Sequence, residues 1–140
     1  MAIKSIKLAE VQRVAYYLTK KYADFSEPIP EFVSRYPNVL ESCLLVPFQK
    51  YDKKPLYKGL SGKSAILFYL MIKNHPFQNG NKRIAISTLL LFLFKNNKWL
   101  QVDNVVFYNF AVWIASSPPD MKEETVMAIE KFVKKNLVKK

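Results

Sequence analysis

Cysteine, histidine and glycine are nearly missing from these 140 residues, which hold one Cys, one His and three Gly. A lone thiol, Cys43, cannot close an internal disulfide, and no Cys/His cluster offers a zinc site. Neither kind of staple holds the fold, and the sparing use of thiols suits a reducing compartment. Arginine is scarce too. Arg13, Arg35 and Arg83 stand against nineteen lysines, which argues against sequence-specific reading of nucleic acid, because bidentate contacts to guanine edges favour arginine. Acidic residues number 11 against 22 basic ones, giving a formal net charge of +11. That imbalance points first to polyanionic partners: nucleotide phosphates, an acidic protein or nucleic acid.

A membrane-spanning run is also lacking. The longest apolar stretch, Ile84 to Phe94, is broken by Ser87 and Thr88 and falls short of the roughly 20 residues that cross a bilayer. Near the N-terminus, Lys4, Lys7, Glu10 and Arg13 interrupt any apolar core a secretory signal would need. The expectation is a cytoplasmic protein without membrane contact.

What remains is a composition that folds: 50% hydrophobic, 14% aromatic and 24% charged. A single domain over 1–140 is expected, since a chain near this length buries about 68–70% of its unfolded surface without help from a disulfide or metal. Five of the eight prolines lie before residue 60, so the middle and end read as helical. Ile3, Ile6, Leu8, Val11, Val14, Ala15 and Leu18 predict an amphipathic first helix over Ile3 to Tyr22. Pro28 to Pro37 reads as an irregular connector. Asn38 is the expected N-cap of a short helix to Val46, with Val39, Leu40, Cys43 and Leu44 on one face and Pro47 closing it. Phe48 to Leu60 mixes lysines, Pro55 and Gly59 with Phe48, Tyr51 and Tyr57, as an exposed loop or small hairpin does. Ser61 or Ser64 is placed to cap a helix to about Asn74, and a second begins near Asn81 and ends about Asn97. Asp103 and Asp120 are the expected caps of two last helices, the second ending in a lysine-rich tail. Val105 to Phe110 also fits a strand.

Between the two most apolar helices lies His-Pro-Phe-Gln-Asn-Gly-Asn-Lys-Arg, residues 75–83. This is a loop entering a helix N-terminus, where amides without intrahelical partners and the positive end of the macrodipole attract phosphate. Gly80 lets the backbone approach an anion closely, and Lys82 and Arg83 add two full charges. Two cations are unfavourable at a helix start unless an anion is near. His75, the one histidine, stands beside this anion site as a proton acceptor suited to neutral pH. Cys43, on an apolar helix face, is read as inert packing.

The nine residues resemble the signature of the Fic/Doc family: His-Pro-Phe, any residue, Asp or Glu, Gly or Ala, Asn, Gly or Lys, Arg. Eight positions fit. The chain from about Val39 to Leu100 is also similar to the family's core, including Leu56-Tyr57 and the apolar Leu89 to Phe94. The resemblance implies an all-α, compact helical domain with a small flap loop or hairpin before the active-site helices. It also implies transfer of a phosphate-containing group from a nucleoside triphosphate, ATP or another nucleotide, with Mg2+, to a hydroxyl of a target protein. His75 would deprotonate the target hydroxyl and Phe77 would pack inward. Amides around Gly80, Asn81 and Lys82 would cradle phosphate, with a side-chain contact from Asn81, and Arg83 would pair with a phosphate oxygen. Tyr51 and Tyr57 would belong to a target-docking flap that accepts an extended segment by strand addition.

Lys82 stands where adenylylating members have glycine, and Ile86 where a second arginine is expected. Both resemble the Doc branch, which implies a toxin that moves the terminal phosphoryl group to a translation factor and is restrained by an antitoxin protein. AMP transfer stays open as the alternative. No Ser or Thr has the family's inhibitory Glu four residues on; Ser5, Ser116, Ser117 and Thr125 all lack it. Inhibition would then come from another chain. Asn79 occupies the position of the metal-binding acid. An amide oxygen can ligate a hard cation but brings no charge, so the sequence also leaves room for a catalytically silent binding module with a basic surface.

Overall fold

The computed structural model describes residues 2–22 and 30–140, except the side chains of 20–22. The first part of the expected Pro28 to Pro37 connector therefore lies outside the described residues. Its later part contains a 3-10 turn at Phe32–Ser34. The fold is all-α with two small two-stranded sheets.

An extended N-terminal arm leads into α1 (Leu8–Glu10), a π-helical stretch (Val11–Ala15) and α2 (Tyr16–Tyr22). The helix thus begins at Leu8, not Ile3. Asn96 holds the arm extended, its Oδ1 accepting from the Lys4 N–H at 2.8 Å and its Nδ2 donating to the Lys4 carbonyl at 3.0 Å. Helix α3 (Val39–Leu45) starts where expected and buries Leu40, Cys43 and Leu44. Asn38, however, caps only with its backbone: it takes a left-handed φ of 69°, and its carbonyl accepts from the Ser42 N–H.

Strands β1 (Lys50–Tyr51) and β2 (Lys54–Pro55) form an antiparallel hairpin. Both turn residues, Asp52 and Lys53, have positive φ, the tight two-residue geometry that matches strand twist. Of the two expected forms, exposed loop or small hairpin, the segment takes the hairpin. Helix α4 (Gly59–Lys73) is buried on every side from Lys63 to Ile72, as a helix surrounded by neighbours must be. It packs against α3, α5 (Asn81–Lys95), α6 (Asn104–Ser116) and α7 (Lys122–Asn136). Neither Ser61 nor Ser64 caps α4. The cap position is Lys58, Ser61 Oγ lies 3.3 Å from Glu130 Oε2, and Ser64 is fully buried.

Asp103 does cap α6, accepting from the Val105 and Val106 amides at 3.0 and 3.3 Å. With that cap, Val105 to Phe110 is helix and not strand. Asp120 sits in a 3-10 turn (Pro119–Met121) ahead of α7 and caps nothing. Lys134 and Lys135 lie in the last turn of α7, as expected, but the final lysines are not helical. After Asn136 the chain leaves the helix as β4 (Leu137–Lys139) and pairs antiparallel with β3 (Lys98–Leu100), Trp99 opposite Val138. Lys140 Nζ then lies 5.0 Å from the centre of the Phe94 ring and 5.6 Å from that of Trp99, within cation–π range. No helix among the described residues is long and apolar enough to cross a membrane.

Candidate active site

Residues 75–80 connect the buried α4 to α5, and three anchors fix their path. Pro76 is buried and its carbonyl accepts from the Tyr36 N–H at 2.9 Å. Phe77 is fully buried, its ring centre 5.8 Å from Tyr16 and 5.9 Å from Phe32, which are themselves 5.5 Å apart. This aromatic triangle pins the loop to α2 and to the 3-10 turn, so Phe77 packs inward as its sequence context requires.

The third anchor is Asn81. Its Oδ1 accepts from the Phe77 N–H at 2.9 Å and its Nδ2 donates to the Phe77 carbonyl at 2.8 Å. One side chain thereby satisfies both backbone groups of a buried residue that helix and sheet ladders leave out. Because an N–H must meet oxygen and a carbonyl must meet N–H, the two bonds also fix which way the amide faces. Its Nδ2 is then the atom 3.4 Å from His75 Nδ1. That contact suits an imidazole with Nδ1 unprotonated. It is long, so the ring can exchange it for the tautomer in which Nε2 is the acceptor. His75 is exposed and has a φ of 48°, uncommon for a residue with a side chain.

Gly80 takes φ 71° and ψ 11° at the N-cap of α5, a left-handed geometry that glycine adopts at little cost. The first intrahelical bond runs from the Ile84 N–H to the Gly80 carbonyl at 3.0 Å. Amides of the first turn lie ahead of it, and the macrodipole of a 15-residue helix adds partial positive charge there. Lys82 is half-buried beside them. Arg83 is not an exposed arm: it is only 6% exposed. It lines a groove of about 850 Å³ between α2, α5 and α6, with Thr19, Ser87 and Leu90 nearby. Thr19 Oγ1 lies 2.7 Å from Ser87 Oγ and donates to the Ala15 carbonyl at 2.8 Å.

Asn79 Oδ1 is buried and has no hydrogen-bond partner among the described residues. An oxygen in that condition fits a hard cation or a bound donor. Among the described residues no group of three or more His, Cys, Asp or Glu side chains could hold a metal ion.

The hairpin presents Tyr51 outward at 76% exposure, whereas Tyr57 is half-buried and its carbonyl accepts from Lys63 Nζ at 2.6 Å. Burial pushes the Lys63 ammonium below its ordinary value, and Lys50 nearby adds to the shift. Lys63 also lies 5.7 Å from the Phe48 ring centre, so a buried cation ties the foot of the hairpin to α4. Sequence reasoning overlooks this lysine. A single charge inside the otherwise apolar run of α4 is the available signal.

Burial pushes the Cys43 thiol up to about 12, which leaves it inert, as its apolar helix face suggests. A family model described as the Fic/DOC family matches residues 5–93, more than half of the chain. No curated protein and no solved structure matches.

Proposed function

Because this chain belongs to the Fic/DOC family, a transferase family, we propose that it transfers a phosphate-containing group from a nucleoside triphosphate to a hydroxyl of a target protein. The observation that carries the reading is the braced loop 75–81. It sets an exposed imidazole, held by Asn81 at 3.4 Å, beside the amide-lined start of α5. His75 takes the proton of the target Ser, Thr or Tyr hydroxyl through its unprotonated ring nitrogen. The hydroxyl oxygen attacks phosphorus, the new P–O bond forms, and the bond to the leaving group breaks. Amides around Gly80, Asn81 and Lys82 hold the phosphate oxygens, and the Lys82 charge stabilises the negative charge spread over them. Arg83 reaches a phosphate oxygen by turning out of its groove.

A magnesium ion bound with the nucleotide would neutralise phosphate charge, and Asn79 Oδ1 is the protein oxygen that would ligate it. Most of its coordination would fall to the phosphates and water. Lys82 and Ile86 favour the Doc-like form of the reaction, in which the terminal phosphoryl group moves to the target and ADP leaves. Under this reading the protein is a cytoplasmic toxin that acts on a translation factor and is restrained by a separate antitoxin chain. The hairpin around Tyr51 docks the target segment.

The test is label transfer into a bacterial lysate from ATP labelled at the alpha or the gamma phosphate, with magnesium, for the wild-type chain and His75→Ala. Gamma label alone, lost in the variant, supports phosphoryl transfer; alpha label moves the chain to AMP transfer. A second reading, a silent binding module with a basic surface, is favoured by the neutral Asn79 and the net charge of +11. It gains if neither label transfers and Asn79→Asp restores nothing.

A further inference from the structure

The hairpin ahead of α4 gathers cations with little to oppose them. Lys50, Lys53, Lys54 and Lys58 fall within nine residues that hold one acid, Asp52, and all five are exposed. The ion pairs among the described residues join Arg35 to Glu41, Lys95 to Glu10 and Lys134 to Glu130, so within that set no carboxylate pairs with a hairpin lysine. The foot of the hairpin adds Lys63, whose ammonium is pushed below its ordinary value first by burial and then by Lys50. Like charges gathered in this way repel one another, and an anion laid against them relieves the repulsion.

The backbone indicates the form of that anion. Lys50 stands opposite Pro55, and Tyr51 opposite Lys54. Pro55 has no N–H, so the first pair cannot exchange both bonds. The ladder bonds fall on the flanking residues, among them the bond from the Leu56 N–H to the Gln49 carbonyl at 3.0 Å. That alternation turns the N–H and carbonyl of Lys50 away from β2, to the outer edge of β1, where the two-stranded sheet has no further strand among the described residues. The outer edge of β2 lacks the matching donor, because its outward residue is Pro55. One edge of the hairpin is thus built to accept a strand and the other is not. Side chains alternate across a strand, so Lys50 lies on one face and Lys54, beside Tyr51, on the other. Cations flank the open edge on both faces.

We infer that the outer edge of β1 docks an extended acidic peptide segment, pairing with its backbone through Lys50 and with its carboxylates through the hairpin lysines. The inference rests on the function proposed above for its purpose, since this segment would bring the target hydroxyl to His75, but the binding itself needs no nucleotide. Nucleic acid suits the edge less well. A phosphodiester backbone has no N–H to give the Lys50 carbonyl, and for base stacking the hairpin offers a single exposed ring, Tyr51.

The experiment measures binding of labelled probes to the full-length chain by fluorescence anisotropy at low salt, without nucleotide. The probes are a peptide of alternating Glu and Thr, the same peptide with Gln for Glu, the acidic peptide with its backbone nitrogens methylated, and an oligothymidylate of equal charge. The acidic peptide should bind about tenfold tighter than the neutral one, the gain that a few exposed ion pairs supply. The preference should shrink as salt rises, and N-methylation should abolish binding. Lys50→Glu with Lys54→Glu should lose the preference, whereas Lys98→Glu with Lys139→Glu, an equal charge change on the β3–β4 sheet, should keep it; urea unfolding shows whether each variant is folded, and the peptide series on the wild-type chain decides if one is not. Equal binding of acidic and neutral peptides, no peptide binding, or undiminished binding of the methylated peptide overturns the proposal. So does equal loss in the two folded double variants, which makes the effect one of overall charge, or tighter binding of the oligothymidylate. Acidic-peptide binding by a chain that transfers neither label would remove the proposed function and leave this docking edge standing. Label transfer by a chain that does not discriminate the peptides would do the reverse.

Discussion

Asn81 and Asn96 make the same bracket in two different environments, and comparing them isolates what burial adds. Each side chain spans one residue, accepting from its N–H and donating to its carbonyl: Phe77 for Asn81, and Lys4 for Asn96. The Phe77 bracket is buried and the Lys4 bracket is exposed. In Asn81→Ala both Phe77 groups lose their partner away from water, at about 1–3 kcal/mol for each unsatisfied group. The total is about 2–6 kcal/mol, a large share of the roughly 5–15 kcal/mol that holds a domain together. In Asn96→Ala water replaces the side chain at Lys4, and the net loss of ordinary hydrogen bonds is about 1 kcal/mol. Urea unfolding followed by tryptophan fluorescence measures both. Hydrogen exchange at the Phe77 amide gives an independent reading, since its protection depends on Asn81 Oδ1. Equal destabilisation of the two variants, or a Phe77 amide that stays protected in Asn81→Ala, would refute the argument that this side chain braces the loop.

Removing the ring in Phe77→Ala empties the centre of the Tyr16–Phe32–Phe77 triangle. It should cost about 3–5 kcal/mol, with Phe77→Leu recovering part of that in the same urea titration. Cys43, with its thiol pushed up to about 12 by burial, should resist a chromogenic thiol reagent at neutral pH until the chain unfolds; immediate labelling of the folded protein would contradict its burial. Burial acts to raise the Glu10 carboxyl, but its hydrogen bond to Lys95 at 2.7 Å, the Lys7 N–H and the nearby positive charges outweigh it and hold the carboxyl below the ordinary 4.5. A depressed carboxyl contributes stability above the unfolded value and loses it as pH falls through the folded one. Glu10→Gln should therefore flatten the loss of stability below about pH 4.5, measured as urea midpoints against pH, and leave the neutral-to-alkaline slope unchanged.

Local signals in the sequence suffice for most of the helices. Asp103 is followed by residues whose amides it caps. The apolar face of α3 and the apolar run of α4 from Ala65 to Ile72 need no distant partner to be recognised. What escapes is non-local. Pairing of Lys98–Leu100 with Leu137–Lys139 joins segments almost forty residues apart, and it places Lys98 opposite Lys139, a like-charge pair that ordinarily weakens a ladder. No propensity argument would select it. The Lys140 ammonium over Phe94 and Trp99 supplies compensation visible only once the chain has turned back. Ser61, Ser64 and Asp120 fail as caps for a related reason: capping depends on the chain's path into the helix, and the two serines lie past the Lys58 cap position, already inside α4, while Asp120 sits inside a 3-10 turn.

The site divides along the same line. Spacing alone places the histidine just ahead of a helix start, the candidate anion site, because those features belong to a contiguous segment. The bracing of that segment does not. Phe77 and Asn81 act through Tyr16, Phe32 and the Phe77 backbone, so the geometry of His75 is set by two elements upstream of α4 as well as by its own loop. Arg83 makes the same point from the other side: its place in the segment suggests an outward phosphate contact, yet it is almost buried in a groove that α2 and α6 also line. Binding of a phosphate there must compete with a packed arrangement. Under the proposed function, the energy of turning Arg83 outward would count against nucleotide affinity, and substitutions along the groove, at Thr19 or Ser87, should alter that affinity in a nucleotide titration without touching the loop.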